Sequence, residues 1–150
     1  MGTANRRWLE KIGHGAGVFY SVEDSQKILE GADYREFLPS LNPAPAFHVV
    51  KFGGDWGGLW GTPERWGQLA QEKDTIIPLI YCLPSQVAKY RDIVGGLFHD
   101  GYKAVFLDCE MSFANRAIDM SRLLASMNVA DNLVVVTSYA WFQGWPDRGQ

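Results

Sequence analysis

The chain has 150 residues, 47% hydrophobic and 21% charged, which suits one globular domain with its own core. A net charge of −3 with no long run of either sign argues against a nucleic-acid-binding face, and the longest apolar stretches, 75–83 and 133–137, are too short to span a bilayer. The aromatic content, 13% with six Trp, is high and fits a sugar-stacking surface, an interface or generous packing equally well.

Residues 1–14 carry Arg6, Arg7 and Lys11 with no apolar run behind them, so they read as an N-terminal extension and not as a signal peptide. Residues 15–21 (GAGVFYS) form a first short strand, and 24–38 a helix or helix-rich loop followed by Pro39, Pro43 and Pro45. A second strand, 46–52 (AFHVVKF), ends at Gly53 and Gly54. Thr62 then caps a helix with Pro63 in its first position, running to about Lys73. The third strand, 75–83 (TIIPLIYCL), contains Pro78, which predicts a bulge there. Pro84 and Ser85 open a helix that reaches His99 and stops at Asp100-Gly101. The fourth strand is 102–111 (YKAVFLDCEM), and a helix over 113–127 places Ala117, Met120, Leu123, Leu124 and Met127 at helical spacing. The fifth strand is 132–138 (NLVVVTS).

Strands alternating with helices predict a parallel sheet, and near-continuous apolar strands predict that both its faces are covered. Two architectures compete. An open doubly wound sheet is complete at this length, whereas a TIM-type (β/α) barrel normally takes about 250 residues. No G-x-G-x-x-G or G-x-x-x-x-G-K-[ST] follows any strand, so the nucleotide signatures of open sheets are missing. Motif placement favours a single partial-barrel domain over 1–150, holding about five of the eight (β/α) units.

The informative segment is 104–112 (AVFLDCEMS). Residues two apart in a strand share a face, so Asp108 and Glu110 point with Phe106, while Val105, Leu107, Cys109 and Met111 point to the helices. Two adjacent carboxyls disfavour each other's ionisation, so one can hold a proton near neutral pH. A glycosidase needs that combination of acid and carboxylate, and barrels carry their chemistry at the C-terminal ends of strands. A D-x-E at a strand end also suits a cation site, a helix cap, or an ion pair with Lys51 or an Arg.

Four further observations concern order and spacing. Val49-Val50-Lys51-Phe52-Gly53-Gly54 places a Lys shortly before Gly in the second strand, and 77–83 ends its apolar run at Tyr81. Leu107-Asp108-Cys109-Glu110 puts D-x-E on the fourth strand, and 135–141 (VVTSYAW) leads from the fifth strand into an aromatic loop. In these pieces the chain resembles the glycoside hydrolase family 25 lysozymes, the barrel-fold muramidases. The resemblance implies a hydrolase of the glycosidase class acting on a peptidoglycan-type amino-sugar polymer, with Glu110 as general acid and Asp108 assisting at the anomeric centre. It suits an endolysin or a virion-associated component, and localisation is otherwise unfixed. In the first strand, Gly17-Val18-Phe19-Tyr20-Ser21 has Phe or Tyr where the family's G-x-D-x-S carries Asp. The longer D-x-x-D-x-D-x-E of chitinase-type barrels is absent, since 103–110 reads KAVFLDCE.

Trp56 and Trp60 follow the second strand, and Tyr139, Trp141 and Trp145 the fifth, so all fall on the face of Asp108 and Glu110 as candidate carbohydrate-binding groups. Trp66 lies in a helix and reads as core. Tyr81, Tyr139 and Lys51 are expected to contact substrate or the acid pair, or else to be half-buried barrel residues. His14, His48 and His99 lack metal-ligand spacing, and Cys82 and Cys109 read as two buried thiols, so neither metal nor cofactor is expected. Two other functions stay open: a non-catalytic glycan-binding or structural module on the same scaffold, and a small open α/β protein whose D-x-E holds a cation. Five parallel strands alone leave sheet edges bare, so closure by a second copy or by further barrel units is expected.

Overall fold

The computed structural model describes residues 3–38, 41–54, 58–72, 75–110, 113, 116–127 and 133–137. The elements run α1 (Thr3–Gly13), β1 (Gly17–Phe19), α2 (Val22–Glu30), β2 (Phe47–Gly53), α3 (Pro63–Ala70), β3 (Ile76–Tyr81), α4 (Val87–Asp100), β4 (Ala104–Asp108), α5 (Ala117–Ser126) and β5 (Leu133–Thr137). Short 3-10 turns occupy Tyr34–Phe37 and Pro84–Gln86. The five strands form one all-parallel sheet in the order β1-β2-β3-β4-β5. Each strand lies beside its sequence neighbour, so the strand order has no reversal of the kind that marks a doubly wound sheet.

Local chemistry sets the helix ends. Ser21 accepts from the Asp24 amide at 3.1 Å to start α2, and Thr62 accepts from the Arg65 amide at 3.2 Å to start α3, with Pro63 in the first turn as expected. Gly101, at φ 112°, closes α4 in the left-handed region. The stretch read as a helix or helix-rich loop over 24–38 is α2 followed by a separate 3-10 turn, broken at Gly31 (φ 125°). Arg65 ties the break down: its guanidinium donates to the Ile28 carbonyl and the Ala32 carbonyl, each at 2.9 Å.

The alternation of side chains builds two cores. Val50, Phe52, Ile76, Ile80, Val105 and Leu107 pack on the helix side with Ile28, Leu29, Leu69, Val94, Leu97 and Leu123. Cys82 and Cys109 belong to this outer core as buried thiols, 3% and 0% exposed. Val49, Ile77, Leu79 and Ala104 point the other way and meet Trp8 and Ile12 of α1. The N-terminal extension is therefore a helix that covers part of the inner face, anchored by Trp8 Nε1 donating to Thr75 Oγ1 at 3.4 Å.

That inner face is concave. Three strand spacings separate β1 from β4, roughly 14 Å across a flat sheet, yet the Phe19 and Phe106 ring centroids are 5.8 Å apart. The bulge expected at Pro78 is not found: Pro78 pairs in register with Val50, and the sheet's irregularity lies in β2, which slips between Lys51 and Gly53 opposite Leu79 and Ile80. Because β1 stops opposite Val49, the next β2 amide on that edge, Lys51 N–H, is taken by buried Ser25 Oγ at 3.0 Å.

Candidate functional site

The site is a row of polar side chains at the C-terminal ends of three adjacent strands. Register places Tyr81, Asp108 and Thr137 side by side, each the last residue of its strand. One row deeper on the same face lie Leu79, Phe106 and Val135, with Lys51 paired to Leu79 from β2. Asp108 thus sits over an apolar floor, with a cation two strands away.

Glu110 follows two residues after Asp108, just past the end of β4, close enough for its charge to act on the Asp108 carboxyl. Thr137 Oγ1 lies 3.2 Å from Asp108 Oδ1. Burial pushes the Asp108 carboxyl up from 3.8 to about 6, and the Glu110 charge adds to the rise. The Thr137 hydrogen bond and the Lys51 charge oppose it. Lys51 therefore acts on Asp108 as a charge on the inner face, as its strand parity suggested.

The aromatic wall is partly in place. Gly54 N–H donates to the Gly58 carbonyl at 2.9 Å and Trp60 N–H to the Phe52 carbonyl at 2.8 Å, which returns Trp60 to the end of β2. There its ring stands 6.5 Å from that of Tyr81, tilted by 60°. The return needs glycine at position 54, where φ is 105° and a Cβ would sit 2.3 Å from Ile80 Cγ2. Trp66 is half-buried in α3 against the outer core, its Nε1 donating to the Trp60 carbonyl at 2.7 Å. Trp56, Tyr139, Trp141 and Trp145 lie outside the described residues. Of the two aromatics at the first-strand position where an acid was sought, Phe19 points inward, and Tyr20 points outward, its hydroxyl 3.0 Å from His48 Nδ1.

The structure thus brings together Lys51, Trp60, Tyr81, Asp108 and Glu110 and adds Thr137, which sequence reading passed over. Its signal was available: Thr137 is the first polar residue after an apolar strand, the position that Asp108 holds in the strand before. Among the described residues no group of three His, Cys, Asp or Glu converges to hold a metal ion, and no helix is long and apolar enough to cross a membrane. The fold places the chain in the α/β class with a five-stranded all-parallel sheet, and Asp108 ends its fourth strand. Searches against protein-family models, curated proteins and solved structures returned no match.

Proposed function

We propose that this chain is a glycoside hydrolase-like domain, built as a partial (β/α) barrel, that cleaves an amino-sugar polysaccharide of the peptidoglycan type. The observation that carries the reading is the adjacent Asp108 and Glu110 carboxyls, with burial and the Glu110 charge raising Asp108 to about 6, on the concave face at the end of β4. Strand order supports the barrel, since consecutive parallel neighbours are what (β/α) repetition around an axis produces. The Trp60–Tyr81 ring pair, with Tyr81 the register neighbour of Asp108, supports a sugar-stacking role.

Asp108 and Glu110 stand on one strand and its extension, and their charges act on each other, so they are read as working from one side of the substrate as a coupled pair. An acetamido sugar supplies its own nucleophile: its carbonyl oxygen bonds to the anomeric carbon as the glycosidic bond breaks. Glu110, just past the strand end, protonates the departing oxygen, and Asp108 accepts the acetamido N–H. Water then opens the cyclic intermediate. This reading selects amino sugars over plain hexoses.

One observation favours a second reading, a module that binds glycan without turning it over. Phe19, 55% exposed, occupies the inward position of β1 where the family resemblance calls for an acid. Turnover of purified peptidoglycan decides between them. For the hydrolase, Glu110→Gln lowers the rate at least about 100-fold and leaves binding intact, while the exposed control Glu30→Gln is neutral. Binding without turnover in the parent chain overturns the enzyme and supports the module.

A further inference from the structure

Thr137 has two acceptors in reach of one hydroxyl. Its Oγ1 lies 3.2 Å from Asp108 Oδ1 and 3.4 Å from the Leu107 carbonyl oxygen. A hydroxyl donates one proton and accepts at two lone pairs, whereas a main-chain carbonyl only accepts. With Asp108 ionised, the hydroxyl proton belongs to the carboxylate. With Asp108 protonated, the carboxylic acid donates to Thr137 Oγ1, and the hydroxyl proton turns to Leu107. Both states are satisfied without moving a heavy atom.

We propose that Thr137 is a positioning residue for Asp108, its hydroxyl switching between the carboxylate and the Leu107 carbonyl as Asp108 loses or gains a proton. The inference rests on the hydrolase reading for its use in turnover, because a proton-shuttling pair must keep its geometry in both states. Of the other groups around Asp108, Lys51 on β2 contributes a charge, Tyr81 on β3 is its register neighbour, Glu110 on its own strand's extension is a second carboxyl, and Cys82 lies on the opposite face of the sheet; Thr137 is the hydroxyl whose two acceptors are both fixed by strand pairing.

The test is a pH titration of the Asp108 side-chain carboxyl carbon by NMR in the full chain, in the parent, in Thr137→Val and in Thr137→Ser. Valine keeps the shape and the β-branch but cannot donate, so the Asp108 midpoint should rise by about one pH unit. Serine should restore the parent value. In the parent itself, the Thr137 Cβ resonance should titrate with the Asp108 midpoint as the hydroxyl changes partners, a readout that stands even if the valine variant does not fold. An unchanged or lowered midpoint in Thr137→Val, a serine shift equal to the valine shift, or a Thr137 Cβ silent through the Asp108 titration overturns the proposal. No substrate enters these titrations. A chain that shows the shift but cleaves no glycan overturns the hydrolase reading alone, and one that loses turnover in Glu110→Gln but shows no shift overturns the Thr137 proposal alone.

Discussion

At Asp108 four influences meet in one carboxyl. Burial and Glu110 favour the protonated form, Thr137 and Lys51 the charged form, and the balance lands at about 6, above the ordinary 3.8. A carboxyl raised on folding binds more protons in the native than in the unfolded chain between those two values. Stability therefore falls as pH rises through that window, and the cost is full above about 6 and absent below 3.8. Asp108→Asn, which cannot ionise, should raise stability at pH 7.5 by about 1 kcal/mol after discounting for solvent screening, and leave it unchanged near pH 3.5. Urea midpoints at the two pH values measure this, and a gain of equal size at both assigns the effect to packing instead. The nearness of Asp108 and Glu110 was legible from their places two residues apart in the chain. Thr137 could have been picked out as the polar residue ending an apolar strand, but its partner could not, because the register between β4 and β5 chooses it.

Helix and strand ends were set by short-range chemistry, and most of them could be read from the chain. Thr62 with Pro63, and Asp100 with Gly101, mark the start of α3 and the end of α4 as residue types alone suggest. The N-terminal helix α1 was not foreseen, because residues 1–14 contain few apolar side chains. Trp8 and Ile12, four apart and both 9% exposed, fasten it to the sheet, with the half-buried Leu9 packed beside them. The helix exists through that contact, since so short a helix is marginal by itself. Trp8→Ala should destabilise the chain by about 3 kcal/mol through the lost burial and the cavity beneath it. Denaturant melting measures the loss, and hydrogen exchange should show α1 opening ahead of the sheet. A variant as stable as the parent would mean that α1 rides on the inner face without supporting it. The slip in β2 teaches a related lesson. Pro78 predicted a bulge that is not there, and the slip falls in β2, where glycine at 53 (φ 91°) tolerates the bend.

Across the whole molecule the sheet order places β1 and β5 at opposite edges, while the Phe19–Phe106 contact curves the face between them. β5 is a half-buried run of Leu133, Val134, Val135, Val136 and Thr137. Parallel edges of this kind attract further strands. We expect weak self-association through them, seen as a sedimentation coefficient that rises with concentration, and reduced in Val135→Lys, which sets a charge on the edge strand. A monomer at every concentration would count against exposed edges and in favour of cover from elsewhere. The sequence by itself determined the alternation of strands and helices and the parallel sheet, because each follows from spacing within a few residues. The tertiary structure alone decided the strand order, the curvature of the inner face, the seat of α1 and the row Tyr81–Asp108–Thr137. Those depend on which strands lie side by side and in what register, and contacts between residues tens of positions apart leave no local pattern to read.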